Sequence, residues 1–435
     1  MIRSPGAFTP LRASLALLLL AAWLAACAPL ASPTPTPSPQ ATRLHLITHT
    51  HPAATPNPTL APTSTLAPAP VFTPTATIPP TPTPVYLTAT VWPHDPQVAI
   101  LLYHRFIPDS ALPYSTTVKT RLGDFRSDLE RLYAAGYSLI PLDDWLKGRL
   151  VLPPGRRPLI LTMDDLFFAD QIFLNPDGTP SIHSGIGVLW QFSQEHPDFG
   201  FSIALFANLG DKYYANEYQN GRFLLGPDWQ DSLAQAIVWC IEHGAIPYNH
   251  TYNHPRLDLT PGDKLQWELS QNDATLRAYL ARAGRLDLVS RLDNLVALPY
   301  SIWPASDAGK KLLETYVSPE GTPVQAIFEA DYAYRPRYMP APYLPTFDRY
   351  HLPRMEGLQD AMRLMETHQD LFPPVSACPV GPLDPAKAAD AAYLAGKIKL
   401  LVASGACQPG VYALNGWLFR ATAEGVSPIT LPAAP

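Results

Sequence analysis

The chain has 435 residues, 47% of them hydrophobic and 16% charged, with 51 prolines and a net charge of −6. That apolar content supports a sizeable core, and the length allows one large α/β barrel with an appendage or two smaller domains. The slightly acidic balance leaves no basic footprint, which argues against nucleic acid as a partner.

Residues 1–27 begin with Arg3 and Arg12, continue through apolar Ala13–Leu24 and end in Leu24-Ala25-Ala26-Cys27. A basic start, a short apolar run and a small-residue ending make a lipoprotein signal peptide. The run is short for a bilayer span of ~20 residues, and Leu24-Ala25-Ala26-Cys27 resembles a bacterial lipobox, so Cys27 is expected to become the lipidated first residue and to hold the chain on the membrane. An uncleaved anchor is the alternative, and both place the body outside the cytoplasm. Residues 28–93 are dominated by Thr, Pro, Ala and Ser, with Arg43 as the single charged side chain. Such a stretch builds no core and reads as a disordered tether. In polyproline II geometry, at ~3.1 Å per residue, it reaches on the order of 200 Å.

In the body, Val98–Tyr103 reads as a buried strand, Asp124–Ala135 as a helix and Tyr137–Pro141 as a second strand. Leu142–Lys147 follows as a short helix, and Leu159–Met163 as a strand that ends on Asp164 and Asp165. Phe167–Trp190 contains the turn signal Asn175-Pro176-Asp177-Gly178 and reads as an inserted loop or hairpin. Phe201–Ala207 is strand-like, Asp228–His243 helical, Ala245–Tyr248 strand-like, Pro261–Ala283 helical and Leu295–Pro299 strand-like. Pro382–Ser404 reads as a C-terminal helix flanked by Cys378 and Cys407, which an oxidising compartment permits to pair. Cys240, inside an apolar helical pattern, reads as a buried free thiol. Repeated strand–helix units predict an α/β fold around a parallel sheet, open or closed.

Two clusters carry chemistry. An apolar strand delivers the adjacent carboxylates Asp164 and Asp165 at its carboxyl end, the end that bears the active site in closed βα barrels. Taken alone, the pair is more simply a solvated turn or helix cap. Asn249-His250-Thr251-Tyr252-Asn253-His254 follows a second short strand and sets two imidazoles four residues apart, on one helical face or in one tight loop. One Asp with two His leaves an open coordination position for water, as a catalytic zinc site requires.

With these residues in hand, the chain resembles the polysaccharide deacetylases of the NodB-homology type, carbohydrate esterase family 4. That family carries a TFDDG strand end, an HTxxH pair and an RxPY-type strand. Here Leu161-Thr162-Met163-Asp164-Asp165-Leu166, His250-Thr251-Tyr252-Asn253-His254 and Ala297-Leu298-Pro299-Tyr300 stand in that order. Leu102-Tyr103-His104 resembles the LxH element of the permuted subclass, in which that element sits on the first strand. The resemblance implies a distorted (β/α) barrel over residues 94–355, with 356–435 as a C-terminal extension containing a helix. It implies metal ligation by Asp165, His250 and His254, a divalent ion with Zn2+ first, Asp164 as general base and His104 as general acid. Tyr300 matches the position whose backbone N–H helps hold the oxyanion. The implied substrate is an N-acetylated wall, capsule or biofilm polysaccharide, cleaved by an extracytoplasmic membrane lipoprotein.

Three positions depart from the family pattern. Leu166 replaces a Gly beside the carboxylates, Ser301 replaces another Gly, and Ala297 stands where an Arg commonly orients the base. Without that Arg, Asp164 lacks a cation favouring its ionised form, and Arg354 is a candidate to substitute from another strand. The Ala297 and Leu166 departures keep open a catalytically inactive carbohydrate-binding lipoprotein on the same fold, and the same site could serve a metallohydrolase of another specificity, an O-acetyl esterase or one cleaving a non-sugar amide. Trp303, Tyr332, Tyr334, Tyr338 and Tyr343 could stack on sugar rings, but packing explains most such aromatics, and they are not assigned to the site.

Overall fold

The computed structural model describes residues 83–166, 169–210, 228–330, 337–356 and 359–432. The signal peptide with Cys27, the tether up to residue 82, and Phe167, Tyr332 and Tyr334 lie outside them. The described residues belong to one compact unit, Ile78–Pro435.

In chain order, strand β1 (Val85–Trp92) is followed by β2 (Gln97–Tyr103) and by the short pair β3 (Arg105–Ile107) and β4 (Lys119–Arg121). Helix α1 (Leu122–Ala134), β5 (Tyr137–Leu139), α2 (Leu142–Leu146) and β6 (Arg157–Asp164) come next. The alternation then continues through α3 (Gly185–Glu195), β7 (Ile203–Ala207), α4 (Trp229–His243), β8 (Ala245–Asn249), α5 (Gly262–Arg282), β9 (Leu295–Ala297), α6 (Asp307–Glu314) and β10 (Ala326–Phe328). Every strand read from the apolar runs is present. The inserted segment is a hairpin only in its first half, where Leu174 bridges Pro180, because Ser184 caps helix α3 from Gly185 onward. The Asn-Pro-Asp-Gly turn masked that helix in the sequence.

The central sheet runs β10-β9-β8-β7-β6-β2, all parallel, with β5 added on β6. Its strands are apolar on both faces, as a parallel sheet covered on both sides demands. Odd-numbered residues Leu101, Tyr103, Leu161, Met163 and Leu205 pack outward against Phe125 and Leu129 of α1, Leu189 of α3 and Ile237 of α4. Even-numbered Ile100, Ile160, Ala204, Phe206 and Tyr248 face the interior with Ala297 and Phe328. This period of two, carried to the carboxyl ends of the strands, aims His104, Asp164, Asn208 and His250 at one inner space.

The sheet curls, and a late segment closes it. Leu352 bonds to Ile327 and Glu329 beside β10. Three residues later β12 (Met355–Glu356) pairs parallel with Leu101 and Leu102 of β2, while β11 (Met339–Pro340) adds antiparallel to the same strand. The result is the expected distorted (β/α) barrel. Residue 355 is not its limit, since helix α7 (Gln359–Thr367) buries Met362 and Met365 in the outer core beside α1.

Two expectations for the flanks are corrected. Residues 85–92 are not tether: β1 lies between β13 (Ser376–Leu383) and β14 (Gly410–Leu414) in an antiparallel sheet completed by β15 (Trp417–Ala421) and β16 (Val426–Pro428). The extension is therefore chiefly sheet, and its helix α8 (Ala391–Ala403) is shorter than the 382–404 reading. Pro382 and Pro385 keep the preceding residues out of the helix, and Asp390 caps its start. A disulfide joins Cys378 to Cys407, and Cys240 is a buried free thiol.

Candidate metal centre

Asp164 is the last residue of β6, and its side chain follows the inward parity. Asp165 has the opposite parity but a left-handed backbone, φ 57°, which swings the second carboxylate back toward the same space. Asp165 Oδ1 lies 3.8 Å from His250 Nε2 and 3.5 Å from His254 Nε2. The two histidines reach it from a tight loop after β8, not from a helix, with left-handed residues at Thr251 and His254. Tyr300 and Ser301, across the mouth, are left-handed as well. Non-glycine residues in that region cost about 1–3 kcal/mol each and cluster where function constrains the chain.

The donor set fits a divalent cation. Asp165, His250 and His254 offer ligand atoms within 4.8 Å of one another. Two ligands at ~2.0–2.1 Å from a tetrahedral Zn2+ stand about 3.4 Å apart, close to the 3.5 and 3.8 Å between Asp165 and the two imidazoles. His250 Nδ1–H donates to the Ala297 carbonyl at 2.9 Å, which leaves the Nε2 lone pair for the ion. Burial, reinforced by the neighbouring His250, lowers the His254 pKa to about 4, so its ring is neutral and ready to ligate near neutrality. In the metal-free protein the His254 imidazole should titrate near 4 instead of the ordinary 6.5, followed by NMR of the ring carbons; a midpoint near 6.5 would contradict this geometry.

The missing motif cation is supplied from the closing segment. Arg354, fully buried between β10 and β2, grips Asp164 with both ends of its guanidinium: Nη1 to Oδ1 at 2.5 Å and Nη2 to Oδ2 at 2.8 Å. Its Nε–H donates to the Glu329 carbonyl, and its Cζ lies over the Phe206 ring, 4.9 Å from the ring centre. Burial alone would raise the Asp164 pKa, but Arg354 and the adjacent His250 outweigh it and hold the carboxyl at about 2. Ala297 therefore does not leave the base candidate without a cation. Leu166, a second of the three departures, keeps an ordinary backbone and packs in the outer core, while Ser301, the third, is left-handed.

His104 stands just past the end of β2, beside the end of β6. Burial lowers its pKa, while Asp164 and Asp165 pull the other way. Among the described residues its enclosed Nδ1 has no hydrogen-bond partner. Tyr300 is exposed, its ring edge-on to His254 with centroids 4.4 Å apart. Of the unassigned aromatics, Trp303 donates to Glu329, Tyr343 donates to Asp95, and Tyr338 is partly exposed.

Residues not anticipated from the sequence complete the site. Gln171 on the inserted segment donates from one amide nitrogen to the carbonyls of His104 and Asp164, at 2.8 and 2.7 Å, tying the two strand ends together. Asn208, directly after β7, donates to Asp165 Oδ1 at 2.9 Å. Asn208 directly follows the last residue of β7, as Asp165 directly follows the last residue of β6, and that position was its one available signal.

No protein-family model matches the chain, and no curated protein matches it. Among solved structures it is similar to the Streptococcus pyogenes deacetylase PplD, solved with acetate, at 13% identity over 62% of this chain and 97% of that one, with a TM-score of 0.40. It is similar to IcaB from Ammonifex degensii at 16% identity over 63% and 97%, TM-score 0.36. A de-N-acetylase from Aggregatibacter actinomycetemcomitans is matched at 13% identity over 60% and 94%, TM-score 0.36. At such identities a likeness concerns the fold alone. The chain carries motifs that resemble those of the polysaccharide deacetylases.

Proposed function

We propose that this chain is an extracytoplasmic, metal-dependent hydrolase that removes N-acetyl groups from a cell-wall, capsule or biofilm polysaccharide, held to the membrane by a lipid on Cys27. The observation that carries the reading is the convergence of Asp165, His250 and His254 beside an Asp164 kept ionised by Arg354. A divalent ion held by those three ligands, Zn2+ in the first instance, would supply Lewis acidity toward the amide carbonyl and lower the pKa of the attacking water. Asp164, oriented by Arg354, would accept the proton of the attacking water. Burial disfavours the charged form of His104 while Asp164 and Asp165 favour it; once protonated from solvent, His104 would pass that proton to the departing amine. The Tyr300 backbone N–H, on a left-handed turn at the mouth, is the donor to the developing oxyanion. The Cys378–Cys407 disulfide agrees with an oxidising compartment. An inactive carbohydrate-binding protein is disfavoured, because Arg354 fills the role that Ala297 leaves empty.

The test is acetate release by a metal-loaded chain beginning at Ile78, the start of the compact unit. N-acetylated chitooligosaccharides should release acetate faster than O-acetylated xylan does. The reverse preference would make the protein an esterase, and no release from any acetylated glycan by protein with stoichiometric metal would sink the proposal. An Asp164→Asn variant should keep its metal while turnover falls by roughly 10²–10⁴-fold. Full activity in that variant would reject the base assignment.

A further inference from the structure

We propose that Asn208 is a positioning residue for the ligand Asp165 and that helix α5 sets it through Asn272; this rests on the metal-centre reading above. Asp165 Oδ1, the oxygen facing both imidazoles, is also the oxygen that accepts the Asn208 amide hydrogen at 2.9 Å. A carboxylate oxygen has two lone-pair directions. With one taken by Asn208, the other is left on the side of His250 and His254, and rotation of the carboxylate about its Cβ–Cγ bond is stopped. The restraint is needed because Asp165 is the most exposed of the three ligands and has room to turn toward solvent. Asn208 is itself buried and does not share that freedom.

The segment around Asn208 is bonded on both sides. The Ala207 carbonyl accepts from His250 N at 3.2 Å and from Asn272 Nδ2 at 2.9 Å. Leu209 N donates to Asn272 Oδ1 at 2.8 Å, so the buried Asn272 amide spans the residues on either side of Asn208. Gly210 N donates to the Tyr252 carbonyl at 2.8 Å, an approach that only glycine permits, since a Cβ there would stand 2.3 Å from that oxygen. Asp165 comes from the end of β6 and both histidines from beyond β8, and the intervening tip of β7 holds each at a fixed distance from the other. Groups that orient metal ligands from behind in this way typically contribute about 10–100-fold to metal affinity.

The experiment uses the full chain, with Zn2+ affinity measured by competition against a chromophoric chelator and ligand geometry followed by the visible absorption of the Co2+ form. Asn208→Ala should bind Zn2+ about 10–100-fold more weakly than wild type and alter the Co2+ spectrum. Asn208→Asp should lose at least as much, because it sets a second carboxylate against Oδ1. Asn272→Ala should weaken binding in the same direction, and the double Ala variant should bind no worse than Asn208→Ala, since the two residues act through one chain of bonds. If Asn208→Ala does not fold, Asn208→Ser is judged by the same readings. Wild-type Zn2+ affinity and an unchanged Co2+ spectrum in the Asn208 variants would overturn the positioning role and leave the metal centre standing. Failure of the wild-type chain to bind Zn2+ at all would remove the metal centre and this role together.

Discussion

An Arg354→Met variant should unfold at markedly lower urea concentration than wild type, with a loss of about 3–5 kcal/mol, and should be close to inactive. Arg354 and Asp164 are both buried, and removing one partner of a buried ion pair strands the other charge without solvent, which is what sets that magnitude. The effect on chemistry has a definite sign. Burial pushes the Asp164 carboxyl up, and Arg354 is the foremost group holding it down near 2. Without the guanidinium the carboxyl protonates at higher pH, so the acid limb of kcat/KM should move upward. Arg354→Lys should recover part of the stability but not the rate, because a single ammonium cannot reproduce the two parallel bonds to Oδ1 and Oδ2. An Arg354→Met protein with an unchanged unfolding midpoint and an unchanged acid limb would show that the pair does neither job.

The second large effect lies at the opposite end of the chain. Trp92, the last residue of β1, is almost wholly buried against Trp145, with ring centroids 6.1 Å apart, and its indole N–H donates to the Leu150 carbonyl at 3.1 Å. It belongs to the interior core shared by Ile100, Ile160 and Val411, so it joins the barrel to the antiparallel sheet. Trp92→Ala should cost about 3–5 kcal/mol, read as a shift in the urea midpoint. A chain begun at His94 removes a central strand and should give no cooperative transition, whereas one begun at Ile78 should unfold as the full chain does. Equal behaviour of the two truncations would mean that β1 contributes nothing.

Much of the barrel was legible because its strands are continuous apolar runs, and the period of two inside them already aims His104, Asp164 and His250 to one side. The motif residues were legible because each directly follows such a run. Arg354 could be named only as a candidate: its partner lies 190 residues away, and it stands in an irregular stretch beside a two-residue strand that no periodicity marks. Asn208 went unread because one amide after a strand is an ordinary turn residue until its donor is seen on Asp165. Strand β1 was lost for a different reason. Its Val85-Tyr86-Leu87-Thr88-Ala89-Thr90-Val91-Trp92 sequence follows directly on a Thr- and Pro-rich stretch, and the partners that make it a strand are encoded beyond residue 375.

That late pairing decides how the body answers a mechanical pull. Force transmitted through the residues before Val85 enters an interior strand, laced along its length to Ser376–Leu383 on one flank and over its last residues to Gly410–Leu414 on the other. A load directed along the strand would meet the ladder bonds in shear, where they must yield together instead of opening one at a time like a zipper.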